Sequence, residues 1–158
     1  MKTLRFLFTL LLFTGFATTA SAQFEFGGGG ALGFNFDVAG IQAKGQYGFD
    51  DTWRGAADFT FYFVEIGSAY EFNGNAHYIF SDDGSGQKFY ALGGLNVWTF
   101  DFGIDFGFGS ISGSTTDIGL NLGAGANIPL GNVTGYGEAK FAVGGSEFNI
   151  AVGVLFGG

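Results

Sequence analysis

Tyr70–Phe80, YEFNGNAHYIF, alternates without a break. One set of every second residue is Tyr70, Phe72, Gly74, Ala76, Tyr78 and Phe80; the residues between are Glu71, Asn73, Asn75, His77 and Ile79. A period of two is the signature of a β-strand with one apolar and one polar face. The apolar row holds aromatics at both ends and small residues in the middle. The same layout recurs in Phe24–Phe36, Trp53–Phe63 and Phe148–Phe156. Aromatic girdles flanking an apolar band are what a strand crossing a bilayer presents to lipid. From Tyr70 to Phe80 the strand spans ~33 Å at ~3.3 Å per residue, or ~25 Å upright after a ~40° tilt, close to the height of such a band.

Eight segments share this alternation: approximately 24–36, 41–49, 53–63, 69–80, 88–99, 116–128, 133–143 and 147–157. Most outward rows are easily read, such as Ile41, Ala43, Gly45, Tyr47 and Phe49, or Ile118, Leu120, Leu122, Ala124, Ala126 and Ile128. In 88–99, Leu95 and Val97 point outward opposite Asn96, and the phase reads as flipping at Trp98. The aromatics expected to face lipid include Phe34, Trp53, Phe61, Tyr70, Phe72, Tyr78, Phe80, Phe148 and Phe156. Strands in lipid must pair every backbone group, so they are expected to close into an all-β, eight-stranded, antiparallel up-and-down transmembrane barrel.

The composition agrees. Residues 1–22 have the order of a secretory signal peptide: Lys2 and Arg5, then the apolar Leu4–Phe16, then Ala20-Ser21-Ala22 as a small-residue cleavage site. The remaining chain, 23–158, is one domain's worth. It keeps all 14 acids but only Lys44, Arg54, Lys88 and Lys140 as bases, a formal charge of −10, which argues against nucleic acid as a partner. Charged residues make up 13% of the chain, about half the fraction usual in a soluble domain. Cysteine is absent, so neither disulfides nor thiolate chemistry enter.

The connections fall into two groups. Asp50–Thr52, Ser81–Gln87 and Pro129–Asn132 carry the Asp, Gly, Asn and Pro of tight turns. With an even strand count and the N-terminus in the periplasm, these would be periplasmic, along with both termini. The remaining connections then face outward. The longest is Phe100–Thr115, FDFGIDFGFGSISGST, on the side where such barrels usually carry longer loops. Its row of Phe102, Ile104, Phe106 and Phe108 is a candidate external contact surface, formed by an exposed sheet edge. The plainer alternative is that the preceding strand continues beyond the membrane and turns near Ser110–Ser114.

The opposite face of the strands is polar and rich in glycine and asparagine. It includes Glu25, Asn35, Gln42, Asn73 and Asn75. Its charged set is Lys44, Arg54, Asp58, Glu71, His77, Glu138 and Lys140. Eight strands enclose a space only just wide enough for side chains. These residues are therefore expected to fill the lumen and bond one another. Pairing Phe49 with Trp53 sets Lys44 opposite Asp58 as an ion pair; the next hairpin brings Tyr62 near Glu71 and Asp58 near Asn75. His77 is the single histidine. A lipid-cleaving role would need it near the outer leaflet with a nucleophile at hand, whereas it lies three residues before the turn at Ser81. Asp82-Asp83-Gly84-Ser85-Gly86 lacks the ligand spacing of a calcium loop. Catalytic, cofactor and metal residues are expected to be none.

Taken as a whole, residues 23–158 resemble the small eight-stranded outer-membrane barrels of the OmpA/OmpX type. More narrowly they resemble the single-domain outer membrane protein β-barrel family. The resemblance rests on the signal peptide, the eight segments, and phrases such as Gly67–Phe80 (GSAYEFNGNAHYIF), Phe89–Phe100 (FYALGGLNVWTF), Thr115–Leu130 (TTDIGLNLGAGANIPL) and Gly137–Phe156 (GEAKFAVGGSEFNIAVGVLF). It implies residence in the bacterial outer membrane as a monomer and contact with outer-membrane lipid. It also implies delivery by the barrel-assembly machinery, which reads a last strand closing on an aromatic; here Phe156 is followed by Gly157 and Gly158. Such a fold hosts many roles. The first expectation is a non-enzymatic structural or surface-interaction protein, with a filled interior and an extracellular protein or surface partner. The others are a narrow porin-like channel, an outer-membrane lipid enzyme, and an inverted, soluble lipocalin-like carrier.

Overall fold

The computed structural model describes residues 24–144 and 147–157, so the expected signal peptide lies outside the described residues. The strands are β1 Phe24–Gly33, β2 Val38–Gly48, β3 Trp53–Phe63, β4 Ser68–Asp82, β5 Lys88–Asp105, β6 Ser110–Leu130, β7 Val133–Val143 and β8 Glu147–Gly157. Each pairs antiparallel with the next, and β8 returns to β1, closing an eight-stranded barrel. The expected all-β up-and-down barrel is the observed fold. The aromatic and aliphatic rows lie outside: Phe26, Phe59, Phe72, Leu95, Leu122 and Val152 are all exposed. Polar rows fill the inside, which is the reverse of a lipocalin-like carrier.

Turn chemistry sets the lower end, where β1 begins and β8 finishes. The Asp50 carboxylate accepts from the backbone N–H groups of Thr52 at 2.7 Å and Trp53 at 2.8 Å, fixing the β2–β3 turn. Asp82 and Asp83 serve the β4–β5 turn in the same way, accepting from the N–H of Gly84 and Ser85 at 2.9 Å each. The Ser85 hydroxyl and N–H hold the Asp83 carboxyl below its usual range. These carboxylates are thus committed to the turn's own backbone. Gly131 links β6 to β7 with a φ of 72°, in the left-handed region that a two-residue hairpin connection demands.

The upper end carries the connections 34–37, 64–67 and 106–109, and here the structure corrects several expectations. β1 stops at Gly33 and Phe34–Asp37 forms a turn, with Asp37 at a φ of 53°. Asn35 is therefore exposed in that turn rather than inside the barrel. Phe36 leaves the outer row to stack on Trp98, ring centroids 5.0 Å apart. Segment 100–115 is a strand continuation, as the plainer alternative had it. The reversal, however, lies at Phe106–Gly109, closed by the Phe106 N–H to Gly109 C=O bond of 2.8 Å, rather than at Ser110–Ser114. The phase of β5 does not flip. Trp98 pairs with the fully buried Glu71 and Phe100 with the fully buried Ala69, so both share the inner face with Asn96.

The Gly27–Gly30 run has a definite use at the closing seam. A Cβ on Gly27 would lie 1.9 Å from the Val154 carbonyl oxygen, and one on Gly29 1.9 Å from that of Val152. Only glycine lets β1 lie this close to β8. In β4 a bulge between Ile79 and Ser81 leaves Phe80 unopposed on the outside.

Candidate functional site

Alternation on a closed sheet delivers the polar residues of every strand to one lumen. All seven charged residues expected there are at most 5% exposed. They form two linked groups.

The first gathers on Asp58 of β3. Lys140 of β7 reaches across the lumen to it, Nζ at 3.1 Å from Oδ1 and 3.2 Å from Oδ2. Asp58 Oδ1 also accepts from Gln42 Nε2 at 3.0 Å and Asn73 Nδ2 at 2.8 Å. Asn73 continues the chain to Glu71 at 2.6 Å. Glu71 accepts in turn from the Tyr62 hydroxyl at 2.8 Å and from Asn149 at 3.2 and 3.3 Å.

The second group gathers on Glu138 of β7. Lys44 of β2 donates to it, and the Tyr90 hydroxyl donates to the same oxygen at 2.7 Å. His77 Nε2 stands 3.6 Å from that oxygen. The His77 ring stacks on Tyr90 at 4.3 Å, and Arg54 lies over the Tyr90 ring, 4.7 Å from its centroid, with its guanidinium 3.3 Å from His77 Nδ1. Tyr136 joins the groups, donating to Gln42 at 2.8 Å beneath Lys44.

Three buried cations, Lys44, Arg54 and Lys140, thus share the lumen with the buried carboxylates Asp58, Glu71, Glu138 and Glu147. An isolated charge at this depth would cost several kcal/mol, so mutual pairing is the condition for burying any of them. Apolar clusters flank the network on both sides. Ile79, Tyr90 and Leu92 pack together below. Above, Val38, Val64, Trp98 and Phe100 pack against a cluster that includes Tyr62 and Ala69.

The register puts Lys44 opposite Asp58, as the turn at Asp50–Thr52 implied. The ion pairs are nevertheless exchanged: Lys44 goes to Glu138, and Lys140 takes Asp58. A long lysine stem spans the narrow lumen more readily than it bends back along its own strand pair. Tyr62 does meet Glu71, while Asp58 faces Asn73 rather than Asn75. Asn96, Trp98, Tyr90 and Glu147 also belong to the interior. Unbroken parity from Leu92 through Asn96 would have shown Trp98 facing inward; its aromatic ring suggested a lipid-facing girdle instead.

Outside, Phe34, Trp53, Phe61, Phe72, Tyr78, Phe80, Phe148 and Phe156 are exposed. Tyr70 is half-buried because its hydroxyl turns to Asp101 at 3.1 Å. Phe102 and Ile104 lie on the last turn-ward residues of β5. Phe106 and Phe108 form the hairpin tip, where Phe108 is 95% exposed.

The strand order, closure and polar filling can be compared with solved structures. The N-terminal β-barrel domain of Pseudomonas aeruginosa OprF superposes with a TM-score of 0.70, covering 87% of this chain and 98% of that one at 20% identity. This chain has the fold of the small outer-membrane barrels. Ail, the attachment invasion locus protein of Yersinia pestis, matches at TM-score 0.56 and 18% identity over 85% of this chain and 99% of that one. Ail in complex with the heparin analogue sucrose octasulfate matches at 0.57, with 18% identity over 85% and 97%. No protein-family model and no curated protein matches the sequence.

Proposed function

We propose that this chain is a monomeric outer-membrane barrel acting as a surface-contact protein. In this reading the signal peptide 1–22 is removed, the barrel-assembly machinery inserts the barrel, and the lower end with both termini faces the periplasm. The exposed aromatic and aliphatic rows meet outer-membrane lipid. The closed sheet leaves no edge within the apolar band, which suits a monomer.

The observation that carries the contact role is the β5–β6 hairpin. β4 accompanies β5 only as far as the pair Ser68–Asp101, and β7 accompanies β6 only as far as Val143–Leu120. Beyond these points the two strands continue as a pair to Asp105 and Ser110. On β6 this leaves the edge Ser110–Asp117 with no strand beside it among the described residues, Gly144 lying against Ile118 and Gly119. It runs ~23 Å at ~3.3 Å per residue. A bare edge of that length, with Ile104, Phe106, Phe108 and Ile111 exposed around its tip, is suited to strand addition by an extended protein segment.

The interior supports neither an open path nor a reaction centre. Lys44 pairs with Glu138 and Lys140 with Asp58, apolar clusters flank this network, and His77 is enclosed between Tyr90, Arg54 and Glu138. The polyanion seen on Ail does not transfer readily, because none of the basic residues of 24–157 lies at the upper end. Lys44, Arg54 and Lys140 are inside, and Lys88 pairs with Asp82 below at 3.5 Å.

The test is a planar-bilayer recording on refolded 23–158, run with a heat-modifiability gel. A folded barrel that stays at background conductance is the expected result. Discrete reproducible channels would make the porin reading the better one, with the Lys44 and Asp58 groups as its gate.

A further inference from the structure

At the upper end, beside the hairpin, lies a cleft of about 540 Å³. It runs between the 34–37 turn, the 64–67 connection and the inner face of β5. Phe36, Phe63, Trp98 and Phe100 supply aromatic walls, and Asp37 and Glu65 supply its charge. Phe36 lies parallel to Trp98, with 11° between ring planes, and Trp98 lies parallel to Phe100 at 6.0 Å and 10°. The stack continues to Phe102 at 6.2 Å. Trp98 Nε1 is buried with no hydrogen-bond partner in the protein. Near Val38, another wall residue, Glu147 is 4% exposed.

The charges decide what chemistry fits. The exposed acids Asp37, Glu65 and Asp117 stand at this end, and among the described residues no lysine, arginine or histidine does. Anions are therefore repelled. A bare divalent cation would want an oxygen cage of six or more ligands, whereas these walls are mostly rings. What remains is a cation with an apolar shell. Aromatic faces attract such a group, most when water is excluded, and the two carboxylates add a complementary field. The cavity volume lies within the range of small-molecule sites.

We infer that this cleft binds a small alkylammonium ligand, its head held beside the Phe36–Trp98 stack with Asp37 and Glu65 at the rim. The inference rests on reading the upper end as the contact face, and it names the chemistry that one part of that face accepts.

The chain has two tryptophans, so Trp53→Phe leaves Trp98 as the sole fluorescent reporter in the cleft. The refolded variant would be titrated in non-ionic micelles, since a choline-headed detergent would itself present the ligand. Choline, a trimethylammonium with a two-carbon hydroxyl arm, should change Trp98 emission saturably. Its neutral isostere 3,3-dimethyl-1-butanol should bind at least tenfold more weakly, and butanesulfonate not at all. Adding Asp37→Asn with Glu65→Gln should weaken the ammonium at least tenfold and leave the alcohol unchanged. Equal binding of the alcohol, indifference to the double substitution, or a folded barrel whose Trp98 does not respond would each overturn the proposal. So would a response confined to a lysine-rich peptide, which would point to a protein partner. A folded, silent barrel with an unresponsive Trp98 removes only the cleft, whereas a conducting barrel removes the contact-protein reading on which it rests.

Discussion

Lys140 crosses the lumen to place its Nζ 3.1 Å from Asp58 Oδ1, while Lys44, the cross-strand neighbour of Asp58, turns away to Glu138. Both lysines are therefore paired across the barrel, from β7 to β3 and from β2 to β7. These crossings tie strands that share no ladder. Lys140→Ala would leave Asp58 buried with only amide donors. It should lower unfolding stability by ~3–5 kcal/mol, the usual cost of stranding one member of a buried pair. Double-mutant cycles in urea should give a larger coupling for Lys140 with Asp58 than for Lys44 with Asp58. The opposite ranking would restore the simple cross-strand pair.

Phe72 sits mid-strand on the outer face, opposite Phe59 and Val97. Phe72→Arg places a charge where the apolar band is deepest and should cost ~2–4 kcal/mol of folding in bilayers. Folding yield into vesicles at a range of urea concentrations measures this. A wild-type midpoint would mean that Phe72 does not meet lipid.

Glycines in this sheet differ in what surrounds them. Gly29→Ala would drive a Cβ into the Val152 backbone and should prevent β1 from sealing against β8, leaving the protein in its unfolded position on a heat-modifiability gel. Gly74 has nothing within 4 Å of the same added atom. Gly74→Ala should fold normally and gain a few tenths of a kcal/mol from reduced unfolded-state freedom. Normal closure of Gly29→Ala would show that the seam tolerates a wider spacing than the structure has.

Beyond the pair Asp101–Ser114 the hairpin touches neither neighbouring strand. Replacing residues 102–113 by an Asn-Gly turn should therefore leave the gel shift intact and the unfolding midpoint within ~0.5 kcal/mol, as for surface changes away from packed features. A large loss of stability would mean that the hairpin folds back on the barrel and is not a free edge.

Much of the fold is legible in the sequence because strand alternation is local. Tyr70–Phe80 shows which side chains share a face, and Asp50–Thr52 sets the register that brings Lys44 opposite Asp58. Closure is the expectation for eight such strands, since strands that sit in lipid must satisfy every backbone group. The upper end is less legible. There the apolar band ends, so aromatic identity no longer means a lipid-facing position. Trp98 and Phe100 turn inward by parity, and Phe36 folds over the mouth because the chain has already left β1.

The sequence by itself determined the strand count, the two faces and the polar filling, since each depends on residues two apart on one strand. Only the tertiary structure decided which lysine meets which carboxylate, that Phe36, Trp98 and Phe100 wall one cleft with Asp37 and Glu65, and how far the hairpin edge stands free. Those depend on distances across a closed lumen and between separate loops, which side-chain reach and strand coiling set and which no local pattern encodes.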